Sequence, residues 1–183
     1  MQNISIVWFK KDLRLDDHMP LKEAAFHGDV YPLYIYDPII LKSEDYDPRH
    51  HQFINDSLNS LQNELRELGG KLHIEKENAL SVLKKISLSI LGEITIYSHE
   101  ETGNRISFQR DSQIKEWCSI NGIIWKEFPQ NGVQRPLRNR DGWSKEWYHF
   151  MNKKIIPKPD KIKFYKHDQK FFTISPRIIG KES

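Results

Sequence analysis

The chain has one cysteine among its 183 residues and no hydrophobic run that approaches the ~20 residues of a membrane span. A single cysteine cannot form an internal disulfide, and no Cys/His spacing typical of a metal site is present. Cys118 follows Trp117 in a stretch with helical character, which predicts a structural core thiol rather than a reactive one. The N-terminus also lacks the apolar segment of a signal peptide. We therefore expect a cytoplasmic protein without contact to a membrane.

Glycine-rich phosphate-binding loops are missing as well. The pattern G-x-x-x-x-G-K-[ST] does not occur, and G-x-G-x-x-G does not follow the first predicted strand. Phosphate-loop hydrolysis and ordinary dinucleotide binding are therefore not supported. No Ser/His/Asp or Cys/His nucleophile arrangement is visible, so we predict neither catalytic residues nor metal ligands in this chain.

Positive charge is scarce before Pro129 and abundant after it. Residues 1–128 contain 15 Lys and Arg against 20 Asp and Glu, whereas residues 129–183 contain 13 against 5. Five of the nine prolines also lie in the second part, which has little helical periodicity. We place a boundary there, between an α/β domain (1–128) and an irregular basic extension (129–183).

Short apolar segments alternate with helical patterns through the first part. Strands are predicted at residues 3–9, 30–36, 72–74, 94–97 and 123–125, and helices at 20–27, 49–68, 79–91 and 102–120, the last with Thr102 as its N-cap. Strands that alternate with helices imply right-handed crossovers. The predicted fold is a Rossmann-like three-layer α/β/α sandwich around a mostly parallel, five-stranded sheet.

Three predicted strands end in charged or aromatic residues, and the carboxyl ends of parallel strands meet at one edge of the sheet. Aromatic, apolar and charged side chains at this edge would suit a planar heteroaromatic ligand. The candidate binding residues are Phe9, Lys10, Asp12, Arg14, Tyr34, Ile35, Tyr36, Asp37, His99, Glu100 and Glu101.

Some of these residues also have a purely structural interpretation. Asp12 and Arg14 could pair with each other or with the chain to hold the first loop. Glu100 and Glu101 could simply interact favourably with the dipole of the following helix. Of the two, we expect Glu100 rather than Glu101 to contact a ligand. His99 fits a hydrogen-bonded loop histidine better than a catalytic base.

The segment after the first strand reads W-F-K-K-D-L-R-L-D-D-H over residues 8–18. It resembles the opening signature of the photolyase/cryptochrome family, W-F-R-x-D-L-R-L-x-D-N, with Lys10 in place of the usual Arg and His18 in place of the usual Asn. Residues 98–111, in which acidic residues precede a helix with the pair Arg110-Asp111, are similar to a second family segment. The later stretch 135–147 looks like the interdomain connection of a bacterial cryptochrome-like or deoxyribodipyrimidine photolyase subgroup.

This resemblance implies a light-harvesting role. In the family the N-terminal α/β domain carries an antenna chromophore of the folate, deazaflavin, flavin or lumazine type, held by residues at the positions of Asp12 and Arg14, 34–37 and 99–101. Excitation then passes to FAD in a helical domain that performs blue-light-driven repair of pyrimidine dimers in DNA, or light sensing. We expect that FAD domain to lie outside this chain, as a missing or separate partner.

Two other functions stay open at this point. The chain could be one half of a split photolyase, so whether it is an enzyme is uncertain, or it could be a pigment-free docking module. The basic extension mixes aromatic residues with Arg135, Arg138 and Arg140, which could track a DNA backbone. A linker that docks its aromatic residues on a neighbouring domain explains the same composition. Residues 171–176 form one more apolar patch but not a second core.

Overall fold

The computed structural model describes residues 2–44, 46–133 and 141–166, where strands and helices alternate up to residue 128. The strands are β1 (Asn3–Phe9), β2 (Asp29–Ile35), β3 (His73–Glu75), β4 (Glu93–His99) and β5 (Ile124–Phe128). The helices are α1 (Met19–His27), α2 (Pro38–Leu41), α3 (Pro48–Glu67), α4 (Ala79–Ser89), α5 (Arg105–Ile120) and α6 (Trp143–Met151). None of these helices combines the length and apolarity needed to cross a bilayer.

All five strands are parallel and lie in the order β3-β2-β1-β4-β5. The predicted Rossmann-like sandwich is thus confirmed. The strand order reverses between β1 and β4, so the connections that follow these strands leave toward opposite faces of the sheet. A crevice opens at such a switch point, and it is the usual ligand site of open α/β sheets.

The alternation of side chains along β1 builds two cores. Ile6 and Trp8 point to the face that α4 and α5 cover, and Val7 and Phe9 point to the face that α1 and α3 cover. All four side chains are at most 1% exposed. β1 is therefore buried on both faces, which explains its continuous apolar sequence.

Cys118 lies in the core between α5 and the sheet, with 2% of its surface exposed. Burial raises the pKa of its thiol to about 11. The thiol stays protonated at neutral pH and is a poor nucleophile, as expected of a structural cysteine.

Two local features differ from the sequence predictions. The N-cap of α5 is Asn104, whose Oδ1 accepts from the Ser107 N–H at 3.0 Å, and not Thr102, whose hydroxyl accepts from Asn131 instead. The one-turn helix α2 was not predicted, because four residues have no detectable periodicity. It begins where the Asp37 side chain accepts from the Ile39 N–H at 3.1 Å.

The basic extension is less irregular than its composition predicts. Its described part contains helix α6, and residues 163–165 return to the sheet edge, where the Val30 N–H donates to the Lys163 carbonyl at 2.8 Å. The Phe164 ring packs against the α1/α3 core and lies so close to Gly70 that a Cβ there would be 2.4 Å from it. The extension therefore covers part of the α/β domain. Arg135, Arg138, Arg140 and residues 171–176 lie outside the described residues.

We expect Phe164→Ala to lower the free energy of unfolding by about 2 kcal/mol, since it removes a half-buried ring from the core. Phe26→Ala is the matched control, because the Phe26 ring is 86% exposed and should change stability by about 0.5 kcal/mol or less. Urea denaturation followed by circular dichroism measures both. Equal effects would mean that the extension does not stabilise the domain.

Candidate functional site

A cleft of about 590 Å³ opens at the carboxyl ends of β1 and β2, beside the switch point of the sheet. This volume is within the usual range of small-molecule sites. The apolar and aromatic part of its lining consists of Trp8, Phe9, Leu13, Tyr34, Ile35, Ile40, Leu41, Tyr46, Phe53 and Ile54. A few charged groups interrupt this lining, namely Lys10, Lys11, Arg14, Asp37, His50, Glu101 and Arg110.

Most of the residues predicted from the strand ends lie on this cleft. Those that line it are Phe9, Lys10, Arg14, Tyr34, Ile35, Asp37 and Glu101. Four others lie behind the wall or beside it: Asp12, Tyr36, His99 and Glu100. The three strand ends converge, as the parallel topology requires. Some of their residues line the cleft, and the others lie behind or beside its wall.

The floor of the cleft contains a buried network of charges and indole rings. The Lys10 ammonium lies between the rings of Trp8 (4.6 Å) and Trp125 (5.2 Å) and pairs with Asp111 Oδ2 at 2.8 Å. The Arg110 guanidinium belongs to the same network and lies 5.0 Å from the Trp8 ring and 2.7 Å from Asp111 Oδ1. Glu101 Oε2 lies 3.6 Å from the same guanidinium, so Lys10 and Arg110 face two carboxylates.

Glu101, rather than Glu100, forms the acidic part of the wall. Its Oε1 accepts from the Gly103 N–H at 2.8 Å and from the Lys11 ammonium at 2.9 Å, and the residue is 5% exposed. Glu100 is half-buried outside the cleft, and its backbone N–H donates to the Phe128 carbonyl. Neither carboxylate caps α5, since Asn104 does so.

Arg14 supplies a positive charge on the wall that no described carboxylate neutralises. Its guanidinium donates to the backbone carbonyls of Asp16 and Asp17, both at 3.1 Å. The structural interpretation of Arg14, that it holds the first loop, is thus correct in part, but its charge stays available to a ligand. An anionic group in the cleft would find its partner here.

Asp37 and Tyr36 are fixed by structural contacts at the end of β2. The Asp37 carboxylate accepts from the Ile39 N–H and, at 3.0 Å, from the Ala79 N–H, so it joins α2 to α4. The Tyr36 hydroxyl donates to Asn55 Oδ1 at 2.5 Å on α3. These contacts position the helices that form the far wall of the cleft.

Asp12 and His99 lie together behind the wall, and His18 joins them. His18 Nε2 and His99 Nδ1 lie 2.7 Å and 2.5 Å from Asp12 Oδ2, while Asp12 Oδ1 accepts from the Lys10 N–H at 2.7 Å. All three side chains are at most 3% exposed. Burial raises the pKa of Asp12, but its close contacts with both histidines outweigh burial and hold it far below its ordinary value. The carboxylate is therefore ionised and tied to the protein.

This triad has the composition of a metal site, because its three ligand atoms lie within 4.8 Å of one another. The sequence showed no metal spacing, since His99 lies 87 residues from Asp12 in the chain. The hydrogen bonds favour protons over a metal ion. His18 Nδ1 accepts from the Leu21 N–H at 3.0 Å, so the ring proton is on Nε2. A metal ion at Nε2 would have to displace that proton and leave an imidazolate.

Sequence reasoning missed the residues that α2, α3 and α5 contribute to the cleft. His50, Phe53 and Ser57 recur at spacings of three and four on one face of α3, a signal that could have been read as a second functional face. Arg110 was noted only as part of a family pattern. Its place over Trp8 depends on how α5 packs, which no local pattern shows.

The parallel sheet and its helices place the domain in the Rossmann-like class of α/β domains, and its cleft lies at the switch point where such domains usually have their ligand sites. Residues 5–152 match the DNA photolyase family, and the chain belongs to that family.

Individual relatives agree with this assignment. The chain is 30% identical to Cryptochrome-2 of Arabidopsis thaliana over 138 residues, which is 74% of this chain and 22% of the relative. It superimposes on an archaeal photolyase from Sulfolobus tokodaii with a TM-score of 0.76 at 25% identity, covering 98% of this chain and 42% of that one. A cryptochrome from Synechocystis sp. shares the fold, with a TM-score of 0.78, 20% identity and coverage of 99% and 41%. The chain thus spans less than half the length of these proteins.

Proposed function

We propose that this domain binds a planar, anionic heteroaromatic chromophore in the cleft and acts as the light-harvesting part of a photolyase- or cryptochrome-type flavoprotein. The excitation would pass to FAD held by the helical region of such a flavoprotein. That region would carry out light-driven DNA repair or light sensing. Transfer of excitation depends on the position and orientation of the pigment, and it asks no acid, base or nucleophile of this domain.

The cleft itself is the observation that carries the proposal. An aromatic ring system can lie among Leu13, Tyr34 and Ile54, since apolar and aromatic side chains dominate the lining. The polar groups are few and stand at its edge, where they would fix the ring and its substituents. A docking surface for another protein would not need a concave site of this volume.

The charges favour a ligand with an anionic group. Lys10 and Lys11 are each paired with a carboxylate, whereas the guanidinium of Arg14 has only backbone carbonyls as described partners. A phosphate or carboxylate substituent would form a charge-assisted hydrogen bond with it. Nucleotide-type flavins and glutamylated folates both have such a substituent.

The archaeal relative supports a flavin as the first pigment to test. That photolyase was crystallised with two FAD molecules, which was taken to imply a novel light-harvesting cofactor in that protein. Its identity to this chain is 25%, so the choice of pigment rests on experiment.

Titration of the full chain with FAD, a deazaflavin, a methenylfolate and a lumazine, followed by absorbance and fluorescence, tests the proposal. We expect saturable 1:1 binding of at least one pigment with a Kd of about 10 μM or tighter. Arg14→Gln should weaken binding of an anionic pigment about tenfold and reduce its salt dependence, because one charge-assisted hydrogen bond is lost.

Arg66→Gln is the matched control, since Arg66 is an exposed residue in the last turn of α3. If the folded chain binds none of the four pigments, the domain is a pigment-free docking module. If Arg14→Gln and Arg66→Gln behave alike, the anionic group does not bind at Arg14.

Illumination of the chain with added FAD and a cyclobutane-dimer substrate should give no repair. Repair by this chain alone would overturn the assignment of chemistry to another region.

A further inference from the structure

We propose that His18 is a proton-sensitive positioning residue, whose neutral ring alone can hold helix α1 and the cleft-forming loop together, so that acid weakens both the fold and the cleft. The part that concerns the cleft rests on the proposed function, and the part that concerns the fold does not.

One buried ring brings His18 into contact with two different partners. Nδ1 accepts from the Leu21 N–H at 3.0 Å and so caps α1, while Nε2 lies 2.7 Å from Asp12 Oδ2, a close contact without the alignment of a hydrogen bond. Because Nδ1 accepts, the proton of the neutral ring is on Nε2, on the side of the Asp12 carboxylate. A second proton would have to bind Nδ1, where it would face the Leu21 N–H. Protonation therefore replaces an attraction at the helix start by a contact between two donors.

Asp12 transmits this change to the cleft. Its side chain accepts from the Lys10 N–H at 2.7 Å, and its carbonyl accepts from the Arg14 N–H at 2.7 Å. Lys10 and Arg14 both line the cleft. When His18 moves away from its cap, the carboxylate that it holds must move with it or lose a donor. The two cleft residues are thus positioned from behind, through a group that touches no ligand.

The surroundings of His18 disfavour its protonated form. Burial is the largest cause of a pKa below the ordinary value of 6.5, and Asp12 opposes this shift. The charge of Arg14 and that of His99, whose ring centre is 4.6 Å away, both act in the same direction as burial. The Phe9 ring on the other side, at 4.8 Å, offers a proton no stabilisation by hydrogen bonding.

Asparagine could do both tasks of His18 without titrating. Its amide oxygen can accept from Leu21, and its amide nitrogen can donate to Asp12. His18→Asn therefore keeps the cap and removes the dependence on pH, which makes it the natural comparison.

The sign of the effect follows from linkage. The folded pKa of His18 lies below the unfolded one, so between the two values the unfolded chain binds the additional proton. The contribution of this group to stability is complete above pH 6.5 and is lost as the pH falls toward the folded pKa. The folding equilibrium constant should decrease by up to about tenfold per pH unit over that interval.

Three measurements on the full chain test the inference. Urea denaturation between pH 7.5 and 5.0 should show that the free energy of unfolding falls as the pH falls. The slope of this free energy against pH should be smaller in His18→Asn, by the amount that corresponds to about one bound proton. Nitrogen chemical shifts of the imidazole rings should show His18 with its proton on Nε2. FAD affinity should fall about fivefold or more from pH 7.5 to 5.5 in the wild type and stay constant within about twofold in His18→Asn. FAD is the probe because the phosphate monoester of FMN titrates near pH 6.

The outcomes separate this inference from the proposed function. If FAD binds at no pH, the fold and the ring spectra still decide the role of His18. The inference about His18 would be overturned if the free energy of unfolding depends on pH equally in wild type and His18→Asn, or if the neutral His18 ring has its proton on Nδ1. Stabilisation by Zn²⁺ that disappears in His99→Asn would also overturn it, because the triad would then bind a metal rather than protons. If His18→Asn fails to fold, the ring spectra of the wild type across the pH range give the answer.

Discussion

Ser57→Trp is expected to abolish binding of the chromophore and to leave the fold intact. Ser57 is half-buried on α3 and lines the cleft, so an indole at this position fills the space that a ring system would occupy. The affinity should fall by about 100-fold or more, because a ligand must either displace the indole or lose its contacts. Pigment titration by fluorescence measures the loss, and circular dichroism checks the fold.

Ser60→Trp is the matched control for this experiment. Ser60 lies on the same helix, less than one turn further on, and is exposed away from the cleft. Ser60→Trp should bind the pigment with the affinity of the wild type. If both variants bind with equal affinity, the pigment lies outside this cleft. If neither does, the helix rather than the cavity is responsible.

Asp12→Ala is expected to lower the free energy of unfolding by about 3 to 5 kcal/mol. The substitution leaves the Lys10 N–H and the two histidine rings buried without their acceptor, and each orphaned donor costs about 1 to 3 kcal/mol. Such a loss is a large part of the stability of a domain of this size. Urea denaturation at pH 7.5 measures it.

Asp16→Ala serves as the control, since Asp16 is an exposed carboxylate in the same loop whose Oδ1 accepts from the Lys158 N–H at 3.4 Å. Its effect should be about 0.5 kcal/mol or less. A similarly small effect of Asp12→Ala would mean that solvent satisfies the histidines. The Asp12 carboxylate would then contribute little to the stability of this loop.

The alternation of strands and helices was readable from the sequence because it rests on local patterns. The apolar run of β1 and the stripe of Leu58, Leu61 and Leu65 on α3 each report a buried surface directly. The positions where strands end were equally clear, and parallel topology brings such ends together. For this reason seven of the eleven candidate residues line the cleft.

The same local patterns could not assign roles at the strand ends. Glu100 and Glu101 are neighbours in the sequence, but only Glu101 faces the cleft, because its carboxylate turns inward to the Gly103 N–H. His18 was visible only as a departure from a family signature. Its contact with Asp12 lies within one loop, whereas that of His99 joins loops 87 residues apart, a distance over which no spacing rule applies.

The sequence by itself determined the fold, the edge of the sheet where the cleft lies and the family, because periodicity and a continuous motif are local properties of the chain. Only the tertiary structure decided which charges are paired within the described residues. Lys10 is neutralised from α5, Arg14 has no described carboxylate partner, and Asp12 is enclosed by two histidines. Pairing of charges depends on which side chains meet in space, and packing alone sets those distances.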